Sequence, residues 1–127
     1  MYELGKQFRF DSAHTLEREM SEQQNESSRT IHGHSYRAEV ILRAAVLPKS
    51  GMVVDLAVLE NALAEMHRAL DHRMLNDIPG LEIPTMENIC HWIWEKLAGD
   101  FPGLARVAVY RDSSGESCIY NGALNKS

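Results

Sequence analysis

Ile31-His32-Gly33-His34-Ser35-Tyr36 sets the reading of the chain. Side chains of an extended strand alternate between faces, so His32, His34 and Tyr36 share one face and Gly33 and Ser35 take the other. Two imidazoles held this way make half of a metal site. Zinc accepts imidazole nitrogen readily, and a catalytic zinc usually takes three protein ligands and keeps one position for water or substrate. An upstream segment offers the third ligand. In Phe8-Arg9-Phe10-Asp11-Ser12-Ala13-His14 the even positions Phe8, Phe10, Ser12 and His14 fall on one side of a regular strand. Antiparallel strands, one ending at His14 and the next beginning near His32, bring three imidazoles to one point if the intervening loop closes a long hairpin. An H-x-H pair also occurs without a metal, so spacing alone leaves the site open.

Composition bounds what surrounds this pair. The chain has 127 residues and a net charge of −5, enough for one domain over residues 1–127 with a single hydrophobic core. An acidic balance without a basic run argues against a nucleic-acid binder. Met1-Tyr2-Glu3-Leu4-Gly5-Lys6 lacks the apolar core of a secretory signal, and no apolar run approaches the roughly 20 residues of a membrane helix. The expected setting is the cytoplasm. Two cysteines, Cys90 and Cys118, do not make a disulfide framework and suit a reducing compartment.

Outward from the histidines, residues 2–13 alternate as a first strand and residues 32–47 as a second, with Tyr36, Ala38, Val40, Leu42 and Ala44 on one face. Between them, residues 15–30 are rich in Glu, Gln, Asn and Ser, an unusually long polar loop for a small domain. Pro48-Lys49-Ser50-Gly51 is turn chemistry. From Asp55, a plausible N-cap, the period becomes helical: Leu56, Leu59, Leu63, Met66 and Leu70 form an apolar stripe that ends at Asp71-His72-Arg73. Residues 76–80 read as a loop. A second helix follows Pro84, with Thr85 as N-cap and Met86, Ile89, Ile93 and Leu97 on one face. Ala105, Val107 and Val109 then alternate in a third strand, Ser113-Ser114-Gly115 turns, and Cys118-Ile119-Tyr120 returns as a hairpin partner. This order predicts an α+β fold, a four-stranded antiparallel sheet with both helices on one face.

Read together, Phe10-x-x-Ala13-His14, His32-Gly33-His34-x-Tyr36, Gly51-Met52-Val53-Val54-Asp55-Leu56, Leu70-Asp71-His72-x-x-Leu75-Asn76-Asp77, Pro84-Thr85-x-Glu87-Asn88 and Cys118-Ile119-Tyr120 resemble the 6-pyruvoyl-tetrahydropterin synthase family. The likeness is nearest its bacterial branch, the 6-carboxy-5,6,7,8-tetrahydropterin synthases of queuosine biosynthesis. The resemblance covers nearly the whole chain. It implies the tunnelling fold, in which subunits join their sheets into a barrel as a homo-oligomer, with active sites between neighbours. It also implies zinc on His14, His32 and His34, and a small-molecule pterin substrate. The implied activity is that of a lyase that converts 7,8-dihydroneopterin triphosphate to the 6-carboxy-tetrahydropterin, releasing acetaldehyde and triphosphate. Neither nucleic acid nor membrane is an expected partner.

The same resemblance assigns Asp71 and His72 to the catalytic pair, the carboxylate orienting an imidazole that moves a proton near neutral pH. Without it, His72 reads as a helix-terminal histidine favoured by the helix dipole. Two positions depart from the family pattern. Where members place a cysteine base, four residues before the first histidine of the pair, this chain has Ser28, whose hydroxyl is far less acidic than a thiol. Glu26 is the substitute base we weigh, against a solvated loop carboxylate. The family's pterin-anchoring glutamate, six residues before the C-I-Y cysteine, is here Asp112, one methylene shorter; Glu116 is its rival through a shifted turn. Thr85 matches a family position near the ring edge and doubles as a cap.

His67 and His91 read as structural or surface residues, and Trp92, Trp94 and Met86 as core or interface. Alternative readings are an enzyme giving a 6-pyruvoyl- or 6-hydroxymethyl-pterin, and a zinc- and pterin-binding protein without turnover. A cupin-like site using Glu39 fails on parity, because Glu39 faces away from His32 and His34.

Overall fold

The computed structural model describes residues 1–15 and 31–123. Glu26 and Ser28 therefore lie outside the described residues, as does most of the polar segment between the first two strands. β1 (Tyr2–His14) and β2 (His32–Ala44) are long antiparallel partners in continuous register, with His14 opposite His32, Ser12 opposite His34 and Phe10 opposite Tyr36. β3 (Leu104–Arg111) pairs with β2 and β4 (Glu116–Tyr120) with β3, both antiparallel, so the strands follow one another across the sheet in chain order. β2 ends three residues before the expected limit. Its register shifts between Ile41 and Leu42, and Arg43 donates its N–H to Gly103 O just before the start of β3.

Alternation decides which face is covered. The even positions Phe10, Ser12, Tyr36, Ala38, Val40 and Leu42 are buried, and in the register they lie beside Val107 and Val109 of β3. α1 (Leu56–Leu70) is capped by Asp55, whose carboxylate accepts from Ala57 N at 2.9 Å, and buries Leu59, Leu63, Met66 and Leu70. α2 (Met86–Leu97) is capped by Thr85, whose hydroxyl accepts from Asn88 N at 3.1 Å. It buries Met86, Ile89, Cys90, Trp92, Ile93 and Leu97. α1 packs beside β1, and α2 beside β3 and β4. Each fully buried leucine or isoleucine of these stripes contributes about 1.5–3 kcal/mol of burial. The expected α+β architecture is thus the observed one. Residues 76–80 are less irregular than their composition predicts: a 3-10 turn, Leu75–Asp77, forms because Leu75 is buried in the core.

The other face of the sheet carries charged pairs beside Ile41, Ala108 and Ile119. Gln7 donates to Glu39, Arg43 pairs with Glu3, and the Arg37 guanidinium lies 3.9 Å over the Tyr110 ring. Among the described residues no helix is long and apolar enough to cross a membrane.

Candidate active site

The register that buries Phe10 against Tyr36, their rings 4.9 Å apart, continues two and four residues further into histidines on the same face. The His14 ring lies 4.9 Å from that of His34 and 6.2 Å from that of His32. His14 is buried, His34 half-buried and His32 exposed, so the cluster runs from the core to the surface. Three imidazoles binding one tetrahedral zinc through bonds of about 2.1 Å would have ring centres about 5 Å apart. The first spacing matches and the second is about 1 Å wider. The planes differ from that arrangement: His14 and His34 are stacked at 22°, and among the described residues no group of three or more His, Cys, Asp or Glu is arranged to hold a metal ion. The donor set fits a zinc-type ion in chemistry, and in ring spacing for His14 and His34. Burial, followed by Arg111 and His32, lowers the proton affinity of His34 and so favours the neutral ring that a metal requires.

Two clefts meet at this cluster. One, of about 550 Å³, is walled by His14, by Thr85, Met86 and Glu87 of the first turn of α2, and by Arg111, Glu116 and Cys118 of the β3–β4 hairpin. Arg111 follows Val107 and Val109 in the inward alternation of β3, so the strand ends by presenting a guanidinium where a core residue is due. Its Nη1 approaches His34 Nε2 at 3.4 Å and its Nη2 donates to Glu116 Oε2 at 2.8 Å. Ser114 donates to the other Glu116 oxygen at 2.6 Å. The Ser114 hydroxyl, and then Arg111, hold Glu116 below the usual carboxylate range. Sequence reasoning did not single out Arg111 for this face. The signal was its parity with Val107 and Val109.

The second cleft, lined by Asp11, Ser12, His34, Ser35, His72 and Arg73 among others, links the cluster to the Asp71-His72 pair. Asp71 is the last-turn cap of α1. Its Oδ1 accepts from Asp11 N at 2.8 Å and its Oδ2 meets His72 Nδ1 at 2.7 Å, so one carboxylate ties the helix end to β1 and orients the imidazole. The Asp11 N–H, followed by His72, lowers the affinity of Asp71 for a proton. His72 has φ 56°, the left-handed region that non-glycine residues seldom enter. It is held there by its own N–H to Asp11 O and by Ala13 N–H to Arg73 O. Its ring is 80% exposed, with Nε2 directed away from the carboxylate and available to a ligand. Asn76 clamps Thr15 at the end of β1 through two bonds of 2.9 Å.

Asp112 is not brought into either cleft. Both of its oxygens accept from Arg37, at 3.0 Å each, and Arg9 lies 3.5 Å away. Arg9 and Arg37 are odd positions on the face opposite the histidines. Of the two carboxylates that spacing offers as a pterin anchor, Glu116 is therefore the one on the histidine cleft, and Thr85 stands across from it. His91 pairs with Glu95 on the surface of α2 as expected. His67 lies 3.5 Å from Asp71, nearer the Asp71-His72 pair than a surface role predicts. Trp92 and Met86 are core, and Trp94 packs on Tyr120.

Fold and site together define a class: an α+β protein whose meander sheet carries a three-histidine cluster beside a cleft with an arginine and carboxylates. Comparison with known proteins narrows it. The profile of the 6-pyruvoyl tetrahydropterin synthase family matches residues 3–123, and the chain belongs to that family. It is 38% identical over 117 residues to a 6-carboxy-5,6,7,8-tetrahydropterin synthase from Synechocystis, covering 86% of this chain and 85% of that protein. It is 35% identical to a dihydroneopterin monophosphate aldolase from Pyrococcus furiosus, over 74% of this chain and 73% of that one. The solved structure of the 6-pyruvoyl tetrahydropterin synthase of Caenorhabditis elegans superposes with a TM-score of 0.82 at 28% identity, covering 96% of each chain.

Proposed function

We propose that this protein is a zinc-dependent lyase of the cytoplasm that converts 7,8-dihydroneopterin triphosphate to 6-carboxy-5,6,7,8-tetrahydropterin, with release of acetaldehyde and triphosphate, in the queuosine branch of 7-deazapurine synthesis. The observation that carries this reading is the closeness of His14, His32 and His34 on one sheet face, in a chain so similar over most of its length to a 6-carboxy-tetrahydropterin synthase. His14, His32 and His34 would hold the metal. Bound zinc supplies a Lewis acid that acidifies the hydroxyls of the substrate's side chain and stabilises negative charge as protons leave carbon.

The remaining steps fall to the chain itself. Asp71 holds His72 by Nδ1, and His72 moves a proton at its exposed Nε2. Glu116 accepts the pterin's ring N–H and amino donors in a fork, replacing Asp112 in that role, and Thr85 borders the ring. Ser28 occupies the place of a cysteine base, and Glu26 is the carboxylate we assign to the proton transfer that serine performs poorly. Copies of the chain join sheet edges into a barrel through β1 and β4, so that each site lies near a neighbouring subunit.

A second reading has its own support. The aldolase relative and the serine at the cysteine position both fit a lyase that cuts the side chain to leave a 6-hydroxymethyl-pterin. Zinc-loaded protein incubated with 7,8-dihydroneopterin triphosphate, with products identified by mass spectrometry, separates these. A 6-carboxy product with acetaldehyde supports the first reading, and a 6-hydroxymethyl product the second. Zinc and pterin binding without any product leaves a binding protein. Ser28→Cys is expected to raise turnover to the carboxy product if a weak base at this position limits the rate.

A further inference from the structure

The two cysteines of the chain, Cys90 on α2 and Cys118 on β4, meet where the helix packs on the sheet. Cys90 Sγ lies 3.4 Å from the backbone oxygen of Cys118, so the sulfur of one residue touches the main chain of the other. Pattern explains both positions. Cys90 stands one helical turn after Met86, within the buried stripe of α2, and Cys118 pairs with Val109 on the inward face of the sheet. Their surroundings differ. Cys90 is fully buried, whereas Cys118 is half-buried and forms part of the wall of the histidine cleft. Burial, and after it the Cys118 thiol, push the Cys90 thiol up, so Cys90 stays protonated and shielded from oxidants. Cys118 is the thiol that a small molecule in the cleft reaches, and accessible thiols are oxidised first.

We propose that Cys118 is a thiol-oxidation site and Cys90 its resolving partner, the pair closing to an intramolecular disulfide between α2 and β4 when a peroxide enters the cleft. In the first step the Cys118 thiolate attacks a peroxide oxygen and the O–O bond breaks, leaving a sulfenic acid and hydroxide. In the second, the Cys90 sulfur attacks the Cys118 sulfur, the S–O bond breaks, and the thiol proton leaves with the hydroxyl as water. Two thiols are oxidised and one peroxide is reduced to two waters. Closure brings the sulfurs to about 2.05 Å, and the packing of α2 on β4 sets a short starting separation. The bond has a consequence for the cleft. Thr85, Met86 and Glu87, one turn before Cys90, form one wall, and Glu116 shares β4 with Cys118 in the other, so a disulfide joins the two walls. In a reducing compartment both residues rest as thiols and the link is reversible. None of this depends on which reaction the histidine cleft supports.

The test treats the full chain with stoichiometric hydrogen peroxide, alkylates the remaining thiols after unfolding, and maps both cysteines by peptide mass spectrometry. Before peroxide, the folded protein is expected to alkylate at Cys118 about tenfold or more faster than at Cys90. After it, the native protein is expected to yield one peptide pair cross-linked through Cys90 and Cys118, and dithiothreitol to restore both thiols. Cys90→Ser should hold Cys118 as a sulfenic acid that dimedone captures, and Cys118→Ser should leave Cys90 an unmodified thiol. The native map stands by itself if either variant fails to fold. Two free thiols after peroxide overturn the pairing. So does a sulfinic acid at Cys118 beside a free Cys90, or a Cys118 joined only to Cys118 of a second copy.

Discussion

Asp112 and Arg37 are joined by two hydrogen bonds of 3.0 Å, Nε to Oδ2 and Nη2 to Oδ1, on the sheet face opposite the three histidines. The pairing leaves Asp112 no oxygen turned toward the cleft, whereas Glu116, four residues on, stands in its wall. Glu116→Gln is accordingly expected to weaken neopterin binding about tenfold or more, since one of two forked bonds then faces a donor. Asp112→Asn should change it by less than about twofold. Fluorescence titration of the two variants decides between the carboxylates, and the opposite ranking would return the anchor to Asp112.

Acid stability follows from the same carboxylate and from Asp71. Hydrogen bonds from Arg37 depress the proton affinity of Asp112, and the Asp11 N–H followed by His72 depresses that of Asp71. A carboxyl whose folded-state pKa lies below its unfolded value near 3.9 contributes stability that is fully present above that value and is lost as pH falls through the folded one. Urea midpoints are therefore expected to fall more steeply below about pH 4 in the native protein than in Asp112→Asn or Asp71→Asn. Parallel pH curves for native and variant proteins would show that neither pairing is maintained in solution.

The helices and strands were legible because each element states its own period. Leu59, Leu63, Met66 and Leu70 space one helical stripe, and the even residues of β1 and β2 space one sheet face. The histidine cluster was legible for the same reason, since parity alone put His14, His32 and His34 on the side that Phe10 and Tyr36 bury. Parity was not carried on to Arg111, although position 111 continues the odd series of Val107 and Val109. Asp112 shows a different limit. Spacing to Cys118 fixes a position along the chain but not the face to which the following turn directs the side chain, and Arg37 on the neighbouring strand supplies a partner that no local pattern announces. The ring orientations of the histidines are also beyond a periodicity argument, because side-chain torsions depend on what fills the cleft.

His72 joins a left-handed backbone to an exposed imidazole. Glycine enters the left-handed region without the clash that a Cβ brings, a difference of about 1 kcal/mol. His72→Gly is expected to melt a few degrees above His72→Ala, while both lose turnover by about a hundredfold or more if the imidazole moves a proton. Thermal melts and initial rates on the same two variants report the two roles separately. An active His72→Gly would remove the imidazole from the chemistry.

Zinc binding is the expectation on which the cluster's chemistry stands. One equivalent per chain is expected, and His14→Ala, His32→Ala or His34→Ala should each weaken it by more than about a hundredfold, because loss of a ligand exceeds the effect of losing a ligand's own support. His91→Ala, on the surface of α2 beside Glu95, should leave affinity unchanged. Metal that binds the folded chain also stabilises it, by about 4 kcal/mol when free zinc is a thousandfold above the dissociation constant. Removing the metal by dialysis against a chelator should then lower the melting temperature of the native protein and of His91→Ala, but hardly that of the three cluster variants. His14 is the most informative of the three: it is buried, and its ring lies near both others. If His14→Ala kept native zinc affinity, the ligand set would have to be rebuilt around His32 and His34 with a donor from another element. The convergence of β1 and β2 would then be a feature of packing alone.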